Sequence, residues 1–272
     1  MPQERPSTPP SNNAPAKGAY PWQSVWIVGA SSGIGRAAAL DLAANGVHVF
    51  VSARSEDALT ALAETNATIS ALPLDMTDAG ACAAAVAQFD TLPDLVILCA
   101  AVYEPMDAST LSAKTAGWMM DINYTGTVTC LEPLLARAKA EGRGHIALVS
   151  SPAAYRGLPG GAGYGPTKAA LTNLAESLRC ELELWGVRLR LVSPGFVRTR
   201  LTEKNDFDMP QLLEPEDAAQ RMLKGLAGKA WEVAFPYPFL GLLKLLRIVP
   251  SSWYFAYARS LIRKAASARA GE

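Results

Sequence analysis

Histidine is nearly absent from this chain. His48 and His145 are the only two among 272 residues, and each begins or sits within an apolar run, so no histidine-based mechanism is available. Cysteine is sparse as well. Cys82, Cys99, Cys130 and Cys180 are widely spaced in apolar or helical stretches, which offers neither a disulfide framework nor a metal-ligand pattern. Buried free thiols in a reducing compartment account for them, and a cytoplasmic location is expected. Charge bias is missing too: 25 basic residues face 25 acidic ones, so nothing points to nucleic acid or to a strongly charged partner. No run of eighteen apolar residues occurs, so a spanning helix is not expected. The first 21 residues, rich in Pro, Ser, Asn and Ala, lack the apolar centre of a signal peptide and read as a disordered tail.

What is present is an alternation of strand-like and helix-like runs. After the apolar run from Val25, strands are expected at 47–52, 68–72, 95–99, 145–149, 188–192 and 231–235. Helix-like stretches such as 79–89, 127–140 and 169–184 lie between them. Repeated β-α units imply an α/β fold, a parallel sheet covered by helices on both faces. One domain over 22–236 is expected, followed by an extension over 237–272.

The segment Val28-Gly29-Ala30-Ser31-Ser32-Gly33-Ile34-Gly35-Arg36 follows the first strand and precedes an alanine-rich helical run. Strand, glycine loop, helix is the context a dinucleotide site requires. Glycine permits close backbone approach to a pyrophosphate, and the helix N-terminus offers unpaired N–H groups to its charge. The second strand ends at Ala53-Arg54, where a NAD site would place Asp or Glu on the ribose 2′-hydroxyl. Arg54, with Arg36 after the last loop glycine, matches a 2′-phosphate in charge and fork geometry. NADP(H) is therefore expected over NAD(H), the competing reading being a solvated arginine at a strand end.

Tyr164 and Lys168 stand four residues apart in Gly163-Tyr164-Gly165-Pro166-Thr167-Lys168, with Ser151 thirteen residues before the tyrosine. On a helix, i and i+4 share a face. A phenol has a reference pKa near 10, and lowering it by roughly three units takes about 4 kcal/mol of differential stabilisation, which a neighbouring ammonium can supply. Ser151 follows an apolar run and can offer a hydrogen bond to a substrate oxygen from a strand tip. An isolated Tyr-x-x-x-Lys also describes an ordinary solvated helix face. The other motifs decide between the two.

With these motifs in order, the chain resembles the short-chain dehydrogenase/reductase family in its single-domain form, from about residue 24 to residue 235. Gly29, Gly33 and Gly35 match the family's cofactor loop, with Ser31, Ser32 and Ile34 between and beside them. Asp75 matches the acidic residue that caps the adenine. Asn123, in Met120-Asp121-Ile122-Asn123-Tyr124, matches the asparagine of a catalytic tetrad completed by Ser151, Tyr164 and Lys168. Pro194, Gly195, Val197 and Thr199 belong to a segment that closes around the nicotinamide. The resemblance implies a doubly wound, Rossmann-like sheet of seven strands and an oxidoreductase that interconverts an alcohol and a ketone or aldehyde. In it Tyr164 is the general acid/base and Lys168 lowers the tyrosine pKa and holds the nicotinamide ribose. Ser151 polarises the substrate oxygen, and Asn123 holds a water linking Lys168 to solvent. One motif departs: Leu98-Cys99-Ala100-Ala101 stands where the family usually has Asn-Asn-Ala-Gly, and Ala100 falls among the expected cofactor contacts. A non-catalytic module that senses NADP(H) is the alternative, although it has no chemical need for the Ser, Tyr and Lys together.

The extension over 237–272 joins a proline-bounded apolar stretch to four aromatics and then Arg259, Arg263, Lys264 and Arg269. It reads as an apolar helical segment with three competing roles: an interfacial membrane helix, which would make the protein peripheral to a membrane, a substrate lid, or a subunit contact. A homo-oligomer, dimer or tetramer, is expected. Leu158, Pro159, Phe196 and this tail point to a hydrophobic small-molecule substrate.

Overall fold

A computed structural model describes residues 18–270, with side chains to 263, that of Phe239 excepted. Among the described residues, seven parallel strands form one sheet in the order β3-β2-β1-β4-β5-β6-β7. They are β1 Ser24–Val28, β2 His48–Ser52, β3 Ile69–Ala71, β4 Leu95–Leu98, β5 Gly144–Val149, β6 Val187–Pro194 and β7 Glu232–Phe235. The doubly wound α/β architecture expected from the sequence is the one observed, and the apolar tail is helical.

The central strand β4 is apolar at every position and β1 at all but its first, because both faces of the sheet are covered, as in parallel sheets generally. Alternation along a strand sorts the residues between two cores. Val25 and Ile27 of β1 face one core together with Ala38 and Leu42 of α1 (Gly33–Ala44), Leu59 of α2 (Glu56–Ala63) and Met222 of α7 (Pro215–Ala227). Trp26 and Val28 face the other. Its helical side comes from Cys82 and Val86 of α3 (Ala79–Ala87), Leu134 of α5 (Gly126–Glu141) and Leu171 of α6 (Tyr164–Leu184).

Register positions the site. Val28 pairs with Ser52 on one side and Leu98 on the other, so the chain leaves β1, β2 and β4 at one level. The strand order reverses between β1 and β4, the topological switch point at which such sheets bind ligands beyond their carboxyl ends. Before β1, Tyr20 stacks on Trp22 with centroids 5.8 Å apart and donates to the Asp41 carboxylate at 2.6 Å. Order thus reaches into the stretch read as a tail, of which residues 1–17 lie outside the described residues. The extension folds as α8 (Phe239–Leu245) and α9 (Ser251–Ala270).

Candidate functional site

The glycine loop turns where β1 meets the carboxyl end of β4. Gly29 has φ +99°, and a Cβ there would run into the backbone of Ala100. The chain after β4 is therefore packed directly on the loop, which places Ala100 beside it. A Cβ on Gly35 would strike the Gly29 carbonyl, so α1 can start this close only without one. Ser31, Ser32 and Ile34 stand partly exposed at the mouth.

The start of α1 differs from those of its neighbours. Ser55, Asp78 and Ser112 cap α2, α3 and α4 (Ala113–Met120) with their side chains. Ser32 makes no such bond, and no acid stands in the first turn of α1. That leaves amide donors and the positive end of the helix dipole open to an anion. Residues and conformation here fit a dinucleotide pyrophosphate. Arg36 and Arg54 are exposed, and among the described residues neither is held in a salt bridge. Arg54 lines a cleft of about 650 Å³ with Ser55, Pro73, Leu74 and Asp75. One Asp75 oxygen accepts from the Thr77 amide at 2.9 Å and its hydroxyl at 2.7 Å, bonds that hold this carboxyl below its usual range, with nearby Arg54 adding to them.

The segment after β6 folds back over the loop. Gly195 donates to the Phe235 carbonyl at 2.7 Å, beside Pro194 at the strand end. Val197 is buried and bridges Leu213. The Thr199 methyl lies 3.0 Å from where a Cβ on Gly33 would sit. Two segments some 165 residues apart thus meet across the cleft.

Beyond the carboxyl end of β5, Ser151, Tyr164 and Lys168 come together. Ser151 follows β5, accepts from the Ala153 amide at 3.2 Å and shares a hydrogen bond with Tyr164. It both caps the short turn Pro152–Ala154 and touches the phenol. Lys168 is buried, donates to the Val149 carbonyl at 2.9 Å and holds its Nζ 5.6 Å from the Tyr164 ring centroid. The phenol does not behave as the i, i+4 spacing predicts. Burial pushes it above the ordinary range, the Cys99 thiol and Tyr103 phenol add to that, and the bond with Ser151 opposes them. Burial also pulls Lys168 down to about 8, against the opposing effect of the Cys99 thiol. Desolvation is the largest cause of both shifts, so at neutral pH the phenol keeps its proton and the amine its charge.

Asn123 lies in a wide turn, Asp121–Thr125, between α4 and α5. Its Oδ1 accepts from the Val102 amide at 2.7 Å, while Nδ2 donates to the Val102 carbonyl at 2.9 Å and to the Thr167 hydroxyl at 3.1 Å. The side chain is spent on tying the chain after β4 to α6. Any water on this residue would meet its backbone carbonyl, which also accepts from Thr127 at 2.8 Å.

The departing motif fills its place differently from the family pattern. Leu98 joins the core, and the Cys99 thiol receives the Gly35 amide, with burial pushing it up to about 11. Two further residues belong to the site and carried no sequence signal. Tyr103 packs edge-on against Tyr164 at 5.2 Å and donates to Asn205 at 2.9 Å, bridging the pocket to the loop after β6. Arg156 reaches the tail, donating to the Leu246 carbonyl at 3.1 Å. Only the folded chain brings these partners together.

Residues 23–209 match the short chain dehydrogenase family. A Myxococcus xanthus protein described as an uncharacterized oxidoreductase is 36% identical over 247 residues, covering 88% of this chain and 98% of the relative. A 3-oxoacyl-(acyl-carrier-protein) reductase of Rickettsia bellii is 30% identical over 223 residues, 80% and 88% of the two chains. Among solved structures, a short chain dehydrogenase from Burkholderia cenocepacia in complex with NADP superposes with a TM-score of 0.78 at 22% identity, over 87% of this chain and 97% of that one. A Burkholderia phymatum short chain dehydrogenase/reductase in complex with NAD gives 0.73 at 20% identity, over 82% and 92%. At these identities the two structures speak for the fold alone.

Proposed function

Because the chain belongs to the short-chain dehydrogenase family of oxidoreductases, we propose that it uses NADP(H) to interconvert an alcohol and an apolar ketone or aldehyde. The observation that carries this reading is the convergence of Ser151, Tyr164 and Lys168 on one rim of the sheet, beside the uncapped start of α1. The glycine loop and the segment from Pro194 to Thr199 would hold the dinucleotide, which would supply or accept the hydride.

The protein's own groups manage the proton and the substrate oxygen. Ser151 Oγ donates to that oxygen and fixes its position. Tyr164 Oη gives its proton to the oxygen in reduction and recovers it in oxidation. A phenol that holds its proton at neutral pH is poised as the acid, which favours the reductive direction. Lys168, charged below about pH 8, stabilises the phenolate left behind and would hold the ribose hydroxyls of the cofactor. Leu158 in the loop after Ser151 and the paired rings of Phe196 and Phe207, 5.8 Å apart, favour an apolar substrate.

The preference for NADP(H) rests on Arg54 and Arg36. Glu56 and Asp57 also line the outer cleft, but they stand in the first turn of α2, where the helix N-terminus offsets their charge. Arg54→Ala should weaken NADPH binding by about tenfold or more, the loss of a charge-assisted pair, while leaving NADH binding nearly unchanged. Titration of both nucleotides by fluorescence checks this. Wild-type binding of NADH as tight as that of NADPH would contradict it.

A further inference from the structure

The tail leaves the domain at the carboxyl end of β7, on the rim that carries Ser151. Leu240 of α8 is buried, and Lys244 pairs with Glu232 at 2.6 Å. At the start of α9, Tyr254 is buried and its hydroxyl donates to the Gly157 carbonyl. The Arg156 guanidinium lies 4.6 Å from the centre of that ring and donates to Ser251 at 3.2 Å. The tail is thus strapped to the loop that follows Ser151.

Beyond this strap the apolar side chains face outward. Ile248 is 80% exposed, Trp253 72% and Leu242 64%, with Phe255 and Ile262 more than half exposed. At helical spacing, Trp253, Tyr257 and Leu261 line one flank of the stripe that contains Tyr254, and Phe255 and Ile262 line the other. Exposed Arg259 and Arg263 share the remaining side with Ser260. From residue 237 to residue 271 the chain contains no Asp or Glu. A second copy laid on this face would set arginines against arginines with no carboxylate in the segment to offset them. A surface that combines apolar depth with fixed negative charge accepts both features. Among the described residues no helix is long and apolar enough to cross a membrane, which leaves the in-plane arrangement.

We propose that α8 and α9 form an interfacial anchor that lies on a bilayer bearing anionic headgroups, with its strap at the loop after Ser151. Delivery of an apolar substrate from that bilayer rests on the oxidoreductase reading; the docking itself does not. The test is co-sedimentation of the full chain with vesicles of phosphatidylcholine, alone or mixed with phosphatidylglycerol, and it needs no turnover. Failure of the oxidoreductase reading would therefore leave its result untouched. Binding to the mixed vesicles should exceed binding to the neutral ones by about tenfold or more. Trp253→Ser/Phe255→Ser/Ile262→Ser and Arg259→Glu/Arg263→Glu should each reduce it by about tenfold or more, with circular dichroism and thermal midpoint unchanged. Equal binding to both vesicle types, undiminished binding of either variant, or no binding at all overturns the proposal. Absence of binding combined with a dimer that the apolar variant abolishes would identify a second copy as the occupant.

Discussion

Burial holds the proton on Tyr164 and eases it off Lys168, so the two members of the pair shift in opposite directions. The lysine's ordinary value of 10.5 falls to about 8 on burial. Reduction needs the ammonium, and kcat/KM reports the free enzyme. That ratio should therefore fall as pH rises through about 8, and a flat profile to pH 9 would contradict the assignment. Stability runs the other way. Between about 8 and 10.5 the unfolded chain binds a proton at this lysine that the folded chain does not, so the contribution of this group rises with pH across that window. Lys168→Met should remove that rise, and thermal midpoints of the two proteins at either end of the window measure it. The spacing of Tyr164 and Lys168 is legible in the sequence, because two residues four apart on a helix must share a face. The sign of the tyrosine shift is not, because it depends on how deeply the fold buries the phenol, with the Cys99 thiol and Tyr103 phenol adding to it.

The segment after β4 is clamped at Val102 by the Asn123 side chain. Asn123 satisfies both the amide and the carbonyl of Val102, which supports Tyr103 against the phenol. Asn123→Ala leaves those groups without partners and should cost about 1–3 kcal/mol, equivalent to roughly 2–4 °C in thermal midpoint per kcal/mol in a domain of this size. Asn123→Asp keeps only the bond from the Val102 amide and should fall between. An unaltered midpoint in the alanine variant would show that the clamp is dispensable. Strands were the readable elements: apolar runs placed all seven within a residue or so of their observed limits. The helix-like run read over 169–184 extends back in the fold to include Tyr164 and Lys168, as their shared face requires. It begins at Tyr164, since a proline in a first turn lacks only an N–H that has no helical partner there. The wide turn at Asp121–Thr125 had no local signal, being shaped by bonds from Asn123 to Val102 and Thr167.

At the scale of the whole molecule, three distant stretches share the carboxyl-end rim of the sheet: the glycine loop after β1, the Ser151 turn with the start of α6, and the segment after β6. Each motif was legible in the sequence. The β-α repetition implied a parallel sheet and the resemblance a doubly wound one of seven strands, while the strand order that joins the motifs is read from the fold. Tail placement was not legible, because Arg156 and Tyr254 are nearly a hundred residues apart and meet only in the fold. Net charge is zero over the chain, yet the tail is basic throughout, so the neutral total conceals a surface that the strap presents beside the site. Hydride transfer with Tyr164 as the proton donor is the central claim, and the most direct measurement pairs two readouts on one substitution. NADPH oxidation is followed against a panel of apolar ketones and aldehydes for the wild type and Tyr164→Phe, with NADPH affinity determined for both. The wild type should turn over at least one carbonyl. The variant should lose about a hundredfold or more of that rate with its NADPH affinity unchanged. Comparable turnover by Tyr164→Phe, or tight NADPH binding by the wild type with no turnover across the panel, would contradict the account.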